Sequence, residues 1–249
     1  MINFHWMAKG SYSKQELIAL MDNIDSYSYK SILLPFQIFK NEPIVSASFL
    51  ANNYKNIKFM LAVRPYTISA LHLSMMVKTF YDLYGDRLII NFVAGTFDEE
   101  YKLFTGLPSN IQNRKEALHN YIEDFINYCD GNKYAEIAVS GSSHQSIETS
   151  NKLADYCINL FSDFDKINNS NKPNILRISF AIDKNKDECI FANDKETDNS
   201  FCGNEKDIHN FLNNCKDRGI TDMLVSTLFS EVASVDKLHK ILHNYGLGI

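Results

Sequence analysis

The chain has 249 residues, of which 45% are apolar and 22% charged, and its formal net charge is −5. This composition excludes a largely disordered chain, and the absence of a basic block excludes a nucleic-acid-binding surface. No run approaches the roughly 18 apolar residues that span a bilayer. The N-terminus lacks the basic, apolar and cleavage regions of a signal peptide, so the expectation is a cytoplasmic protein with no membrane contact. Cys129, Cys157, Cys189, Cys202 and Cys215 are odd in number, widely spaced and without a CxxC pair, which favours reduced thiols over a disulfide framework or a zinc site.

In chain order, a strand starts at once over Met1–Trp6. Short buried strands follow at Ile32–Pro35, Ile57–Val63, Leu88–Val93, Ala135–Ser140, Tyr156–Phe161, Ile175–Ile182 and Met223–Thr227. Helical spacing falls between most of them, at Ser13–Asn23, Ile44–Asn52, Ala70–Tyr84, Arg114–Cys129, Ser146–Leu153, Glu205–Arg218 and Ser234–Asn244. Ser13 with Glu16 three residues on is a capping-box pattern. Eight strands alternating with helices predict one α/β domain over residues 1–249, a (β/α)8 TIM barrel. It is a trimmed barrel. The polar stretch after Phe161 holds no helical pattern, and Asp183–Ser200 shows none either.

Several segments together resemble the alkanesulfonate-monooxygenase branch of the bacterial luciferase-like flavin-dependent monooxygenases. Phe59-Met60-Leu61-Ala62-Val63-Arg64-Pro65 is similar to that family's third strand. Gly85-Asp86-Arg87 and Asn91-Phe92-Val93-Ala94-Gly95 are similar to its next turn and strand, followed by the acidic Asp98-Glu99-Glu100 and by Gly106. Arg114 falls where the family has the arginine of a helix-opening motif, and Ser140-Gly141-Ser142-Ser143 resembles its serine-rich turn after strand five. Arg218-Gly219-Ile220-Thr221-Asp222-Met223 is similar to the approach to its last strand. The order and spacing of these motifs carry the resemblance, since each alone is weak.

The residues of the serine turn point to chemistry by themselves. A turn that leaves a strand and opens a helix gathers unpaired amides and hydroxyls at the positive end of a helix dipole, which suits a phosphate. The other reading is a helix cap with spare serines. The resemblance implies that Gly141, Ser142 and Ser143 hold the phosphate of FMN, that Leu61 and Ala62 lie beside its ring, and that His5 faces the same pocket. As residues, Leu61 and Val63 are equally good barrel core. Asn91 either bonds the ring or is a buried amide within the sheet, and Arg114 either reaches the phosphate or starts a solvated helix. Arg64, at a strand's C-terminal end, serves the functional face or braces its loop.

Arg177 matches a family arginine and is the candidate for binding an anionic substrate or for a buried ion pair. Ser179 stands where the family has a titrating histidine, and Phe36–Glu42 holds no cysteine where the family has one. The family's long segment between strands seven and eight is replaced by Asp183–Asn204, which lessens the exclusion of water. The function expected from the resemblance is oxidation of a small organic substrate with O2 and reduced FMN supplied by a flavin reductase. The alternative is a catalytically degenerate flavin-binding or partner-regulating protein. The resemblance also implies a homodimer through helices near the second and third strands. There Met75-Met76-Val77 and Phe80-Tyr81 fit an interface or ordinary core.

Overall fold

The computed structural model describes residues 2–27, 29–95, 111–164, 171–183, 199–228 and 232–247, with side chains at all but 111–113, 232–234 and 247 of these. Strands β1 (Asn3–Met7), β2 (Ser31–Leu34), β3 (Lys58–Val63), β4 (Leu88–Val93), β5 (Glu136–Ser140), β6 (Tyr156–Leu160), β7 (Asn174–Ile182) and β9 (Asp222–Thr227) pair side by side. Every pairing is parallel, and the bonds of β6 to β7, β7 to β9 and β9 to β1 close the ring. The expected eight-stranded barrel is therefore present. Around it lie α1 (Lys14–Ser26), α2 (Pro43–Ala51), α3 (Ala70–Tyr84), α4 (Ile111–Tyr128), α5 (His144–Leu153), α6 (Glu205–Asp217) and α7 (Val232–Leu247).

The strand count and the cysteines each depart from the sequence reading. A ninth strand, β8 (Ser200–Gly203), runs parallel to β7 in a stretch with no apolar periodicity. Its cause is an edge. β6 occupies β7 only at Asn174–Arg177, and β8 takes up Ser179–Ile182, whose backbone groups on that side β6 does not reach. The second departure is Cys202, which is in a disulfide, so the expectation of five reduced thiols fails there; Cys129, Cys157 and Cys215 are thiols outside any disulfide. After β6 the described chain forms only a tight 3-10 turn over 161–164, in keeping with the trimmed connection. Asp98, Glu99, Glu100 and Gly106 lie outside the described residues.

Strand alternation sorts the side chains into two cores. Leu33, Met60, Ile89, Ala138, Ile158, Ile175 and Leu224 meet inside the barrel. The residues between them, among them Ile32, Phe59, Leu61, Phe92, Val139, Leu176 and Val225, pack against the helices. Phe92 shows how tightly: fully buried, it meets Tyr121 and Phe125 of α4 edge-on at 6.0 and 5.5 Å. The Ser13–Glu16 capping box is formed as expected. Arg87, in the turn before β4, donates to the carbonyls of Ala51, Tyr54 and Ile57 and lies over the Phe59 ring, tying the end of α2 to the sheet.

His239 falls in the helical spacing of Ser234–Asn244, which by itself predicts a surface or capping residue, but it is fully buried. Its Nδ1 lies 2.7 Å from the Tyr29 hydroxyl, Tyr27 stacks on its ring at 5.0 Å and Trp6 lies at 4.6 Å, so α7 is pinned to the outer face of β1. Trp6 is thus core. Burial pushes the His239 imidazole down to about 4, against a smaller opposing pull from Asp236. The folded protein refuses a proton that the unfolded chain accepts from its ordinary 6.5 downward. Stability contributed here is therefore complete above that value and falls as pH drops toward about 4. Urea unfolding compared at about pH 7 and about pH 4.5 should show a loss of up to roughly 3 kcal/mol from this group. His239→Gln, though less stable at neutral pH, should show a flatter dependence over the same interval.

Candidate functional site

All strands of a parallel barrel end on one face, and that mouth is where the loops converge. At β5 the chain leaves the sheet through Ser140-Gly141-Ser142-Ser143 and enters α5 directly. Gly141 has φ +139°, and a Cβ there would come within 2.8 Å of the Ser146 hydroxyl, so only glycine fits this turn without strain. Its amide donates to the Ile158 carbonyl at 3.0 Å, which fixes the turn to β6. Ser143 is the helix cap: its hydroxyl accepts from the Ser146 amide at 3.2 Å and pairs with the Ser146 hydroxyl at 2.8 Å. Ser142 has no such task. Its Oγ is buried without a hydrogen-bond partner, as is Oε1 of Gln145 in the first turn of α5.

The two readings of the serine turn thus divide between residues. Ser143 caps the helix, and Ser142 holds a spare hydroxyl beside the first turn of the helix. A buried hydroxyl left unbonded costs free energy that an anion at this point would recover. The residues fit a phosphate.

Other expected residues take their places relative to this turn. Asn91, buried in β4, accepts at Oδ1 from the Ser140 hydroxyl at 2.8 Å, joining the two strands inside the barrel mouth. With that oxygen engaged, Asn91 has N–H donors to offer a ligand. Arg177 pairs in register with Leu160 on β6 and Leu224 on β9 and, by alternation from Ile175, faces the lumen. Ser140 pairs with Ile158 on the same strand β6, so Arg177 stands two strands from the serine turn. Ser179, one lumen position above, bonds Ser226 of β9 at 2.8 Å. Sequence reasoning did not single out Ser226 or Gln145, because neither belongs to a motif and each acquires meaning only from a neighbour on another element.

At β3 the side chains separate. Leu61 packs in the outer core against the helices, whereas Ala62 alternates toward the lumen. Arg64 is buried at the mouth, donating to the Tyr66 hydroxyl at 3.0 Å with its guanidinium 5.6 Å from the Phe36 ring centre. Arg114 is only 7% exposed, so it does not begin a solvated helix; α4 starts earlier, at Ile111.

His5 is not brought to this mouth. Its Nδ1 meets Ser31 Oγ at 2.7 Å and its Nε2 meets Asp222 Oδ1 at 3.1 Å, and both partners are the first residues of their strands. It therefore belongs to a polar cluster near the opposite end of the barrel, which corrects its expected place in the pocket. Burial acts to raise the Asp222 carboxyl, but bonds from His5, Thr221 and Asn3 outweigh it and hold the group below its ordinary range. Lys58 pairs with Glu136 at 3.1 Å and Asp86 at 3.3 Å toward the same end. Conserving structure is the usual role of this face in a barrel. Among the described residues, no group of three or more His, Cys, Asp or Glu is placed to hold a metal ion.

Residues 2–143 match the luciferase-like monooxygenase family. Solved structures with the same fold include apo-MsnO8, at 11% identity and a TM-score of 0.74, with 98% of each chain covered. EDTA monooxygenase (EmoA) from Chelativorans sp. BNC1 is 9% identical with a TM-score of 0.74, covering 98% of this chain and 94% of that one. The coenzyme F420 dependent tetrahydromethanopterin reductase from Methanopyrus kandleri is 12% identical with a TM-score of 0.71, covering 97% of both. At such identities the likeness is one of fold.

The serine turn can be tested by strain. Gly141→Ala should lower the unfolding free energy by about 1–3 kcal/mol, because the methyl group must displace Ser146 in a backbone conformation that alanine resists. Thermal denaturation of the variant beside the parent protein measures it.

Proposed function

The chain belongs to the luciferase-like monooxygenase family, and from that premise we propose that it is an FMN-dependent oxidoreductase that acts on a small organic substrate with O2. The observation that carries the reading is the buried, partnerless hydroxyl of Ser142 beside the amides that open α5, on the functional face of the barrel. Ser142 and the turn around Gly141 hold the phosphate. Asn91, with its oxygen bonded to Ser140, donates to the flavin ring from the wall of the mouth. When bound, reduced FMN would supply the electrons that activate O2, and a separate flavin reductase would supply reduced FMN. Arg177 attracts and orients an anionic substrate. The barrel wall limits the approach of water.

One observation favours a second reading, a flavin-binding protein without turnover. The lumen position at Ser179 is closed on Ser226, and neither hydroxyl can exchange protons near neutral pH as an imidazole does. Titration with FMN, followed by quenching of flavin fluorescence, should show binding in the micromolar range. Oxygen uptake that depends on added substrate supports the enzyme, and binding without uptake supports the second reading. Ser142→Ala should weaken FMN by about tenfold while leaving riboflavin unaffected, since the lost bond is to a charged group. An unchanged FMN affinity would mean that the phosphate lies elsewhere.

The protein pairs with a second copy through α2 and α3. Val77 and Phe80 are core, but Val45 and Leu71 are 66% and 51% exposed and Met75 is 60% exposed, on helices that neighbour each other in the ring. Light scattering should give the mass of a dimer, and Leu71→Lys with Met75→Lys should give that of a monomer.

A further inference from the structure

The helices differ in what they bury. α3 sets Leu73, Val77 and Phe80 into the core, α4 sets Leu118, Ile122 and Phe125, and α6 sets Ile208, Phe211 and Leu212. Over its described residues α5 is the exception. The side chains it buries are Ser146, Thr149 and Ser150, and its two large apolar residues, Ile147 and Leu153, are only partly covered. What fixes it is a set of hydroxyl bonds: Ser150 donates to the Tyr156 carbonyl at 3.3 Å, and Thr149 meets His119 of α4 at 3.0 Å. A net hydroxyl bond stabilises less than a buried leucine or phenylalanine side chain. A helix of 10 residues does not hold together in water by propensity alone. At its N-terminal end two buried polar atoms, Ser142 Oγ and Gln145 Oε1, lack partners, which penalises the ordered turn further.

We propose that α5 is ordered by its ligand. A phosphate group at the serine turn pairs the Ser142 hydroxyl and the first amides of the helix, and so contributes stability that packing does not provide. Binding and ordering of α5 are then one coupled equilibrium, in which part of the binding free energy is spent on fixing the helix. The consequence reaches α4 through the Thr149–His119 bond. It also makes the phosphate, rather than the flavin ring, the moiety that sets the helix. This inference rests on the reading of the turn as a phosphate site.

Hydrogen exchange by mass spectrometry on the full chain tests it, with α3 as the internal reference and flavin fluorescence quenching recorded on the same samples. Without ligand, amides of α5 should exchange at least about tenfold faster than those of α3, and FMN or excess inorganic phosphate should slow them by at least about tenfold. Riboflavin, which lacks the phosphate, should leave them fast. Exchange in α5 as slow as in α3 without ligand would overturn the inference. So would FMN bound by fluorescence with α5 unchanged, and that outcome would leave the site itself standing. Slowing by riboflavin, or by FMN and not by phosphate, would show that the phosphate does not order the helix. Failure of FMN to bind at all would remove the site and the coupling together.

Discussion

The parallel closure of the sheet is the constraint from which the rest follows. Because every pairing is parallel and the bonds of β7 to β6 and β9, and of β9 to β1, close the ring, all its strands end at the same mouth. Alternation then leaves no freedom in which side chains meet inside. Ala62, Asn91, Ser140, Arg177 and Ser179 are lumen residues because Met60, Ile89, Ala138 and Ile175 are, at spacings of two. A slip of one residue in any pairing would carry Leu61 or Phe92 into the lumen and expel the polar groups into the helix layer.

The two ends of that lumen are used differently. Toward the start of the strands, His5, Asp222, Ser31 and Asn3 satisfy one another, and Lys58 balances Glu136. Such a closed set of pairs leaves little for a ligand, and it explains a polar barrel floor as architecture. Toward the strand ends the side-chain groups are satisfied only in part, and Ser142 Oγ and Gln145 Oε1 lack partners where α5 begins. The helix that begins there also buries the fewest large apolar side chains, so the thinnest apolar anchorage and the proposed phosphate site coincide.

The sites that sequence reasoning misjudged share a physical cause. His239 has the spacing of a surface residue on α7, and its burial comes from Trp6, Tyr27 and Tyr29, more than 200 residues away in the chain. His5 reads as a pocket residue because it is a histidine near a strand end, but which end it serves depends on its register with Ser31 and on its side-chain bond to Asp222. β8 carries no periodic pattern, since it forms by adopting the spare edge of a long neighbour rather than by burying a face. Pairings between distant segments are invisible to any local window.

What the sequence by itself determined is the architecture: eight apolar runs alternating with helical spacing dictate a barrel, because parallel strands buried on both faces need continuous apolar stretches and helices to cover them. It also determined the turn chemistry at Gly141, Ser142 and Ser143, which depends on neighbours in the chain. Only the tertiary structure decided that Ser143 is spent on the cap while Ser142 is not, that Asn91 answers Ser140, that Ser179 closes on Ser226, and that His5 belongs to the floor. The reason is that a polar atom's availability is set by which partner has reached it in the folded chain, and for Asn91, Ser179 and His5 that partner stands on another strand, a property of register and closure rather than of composition.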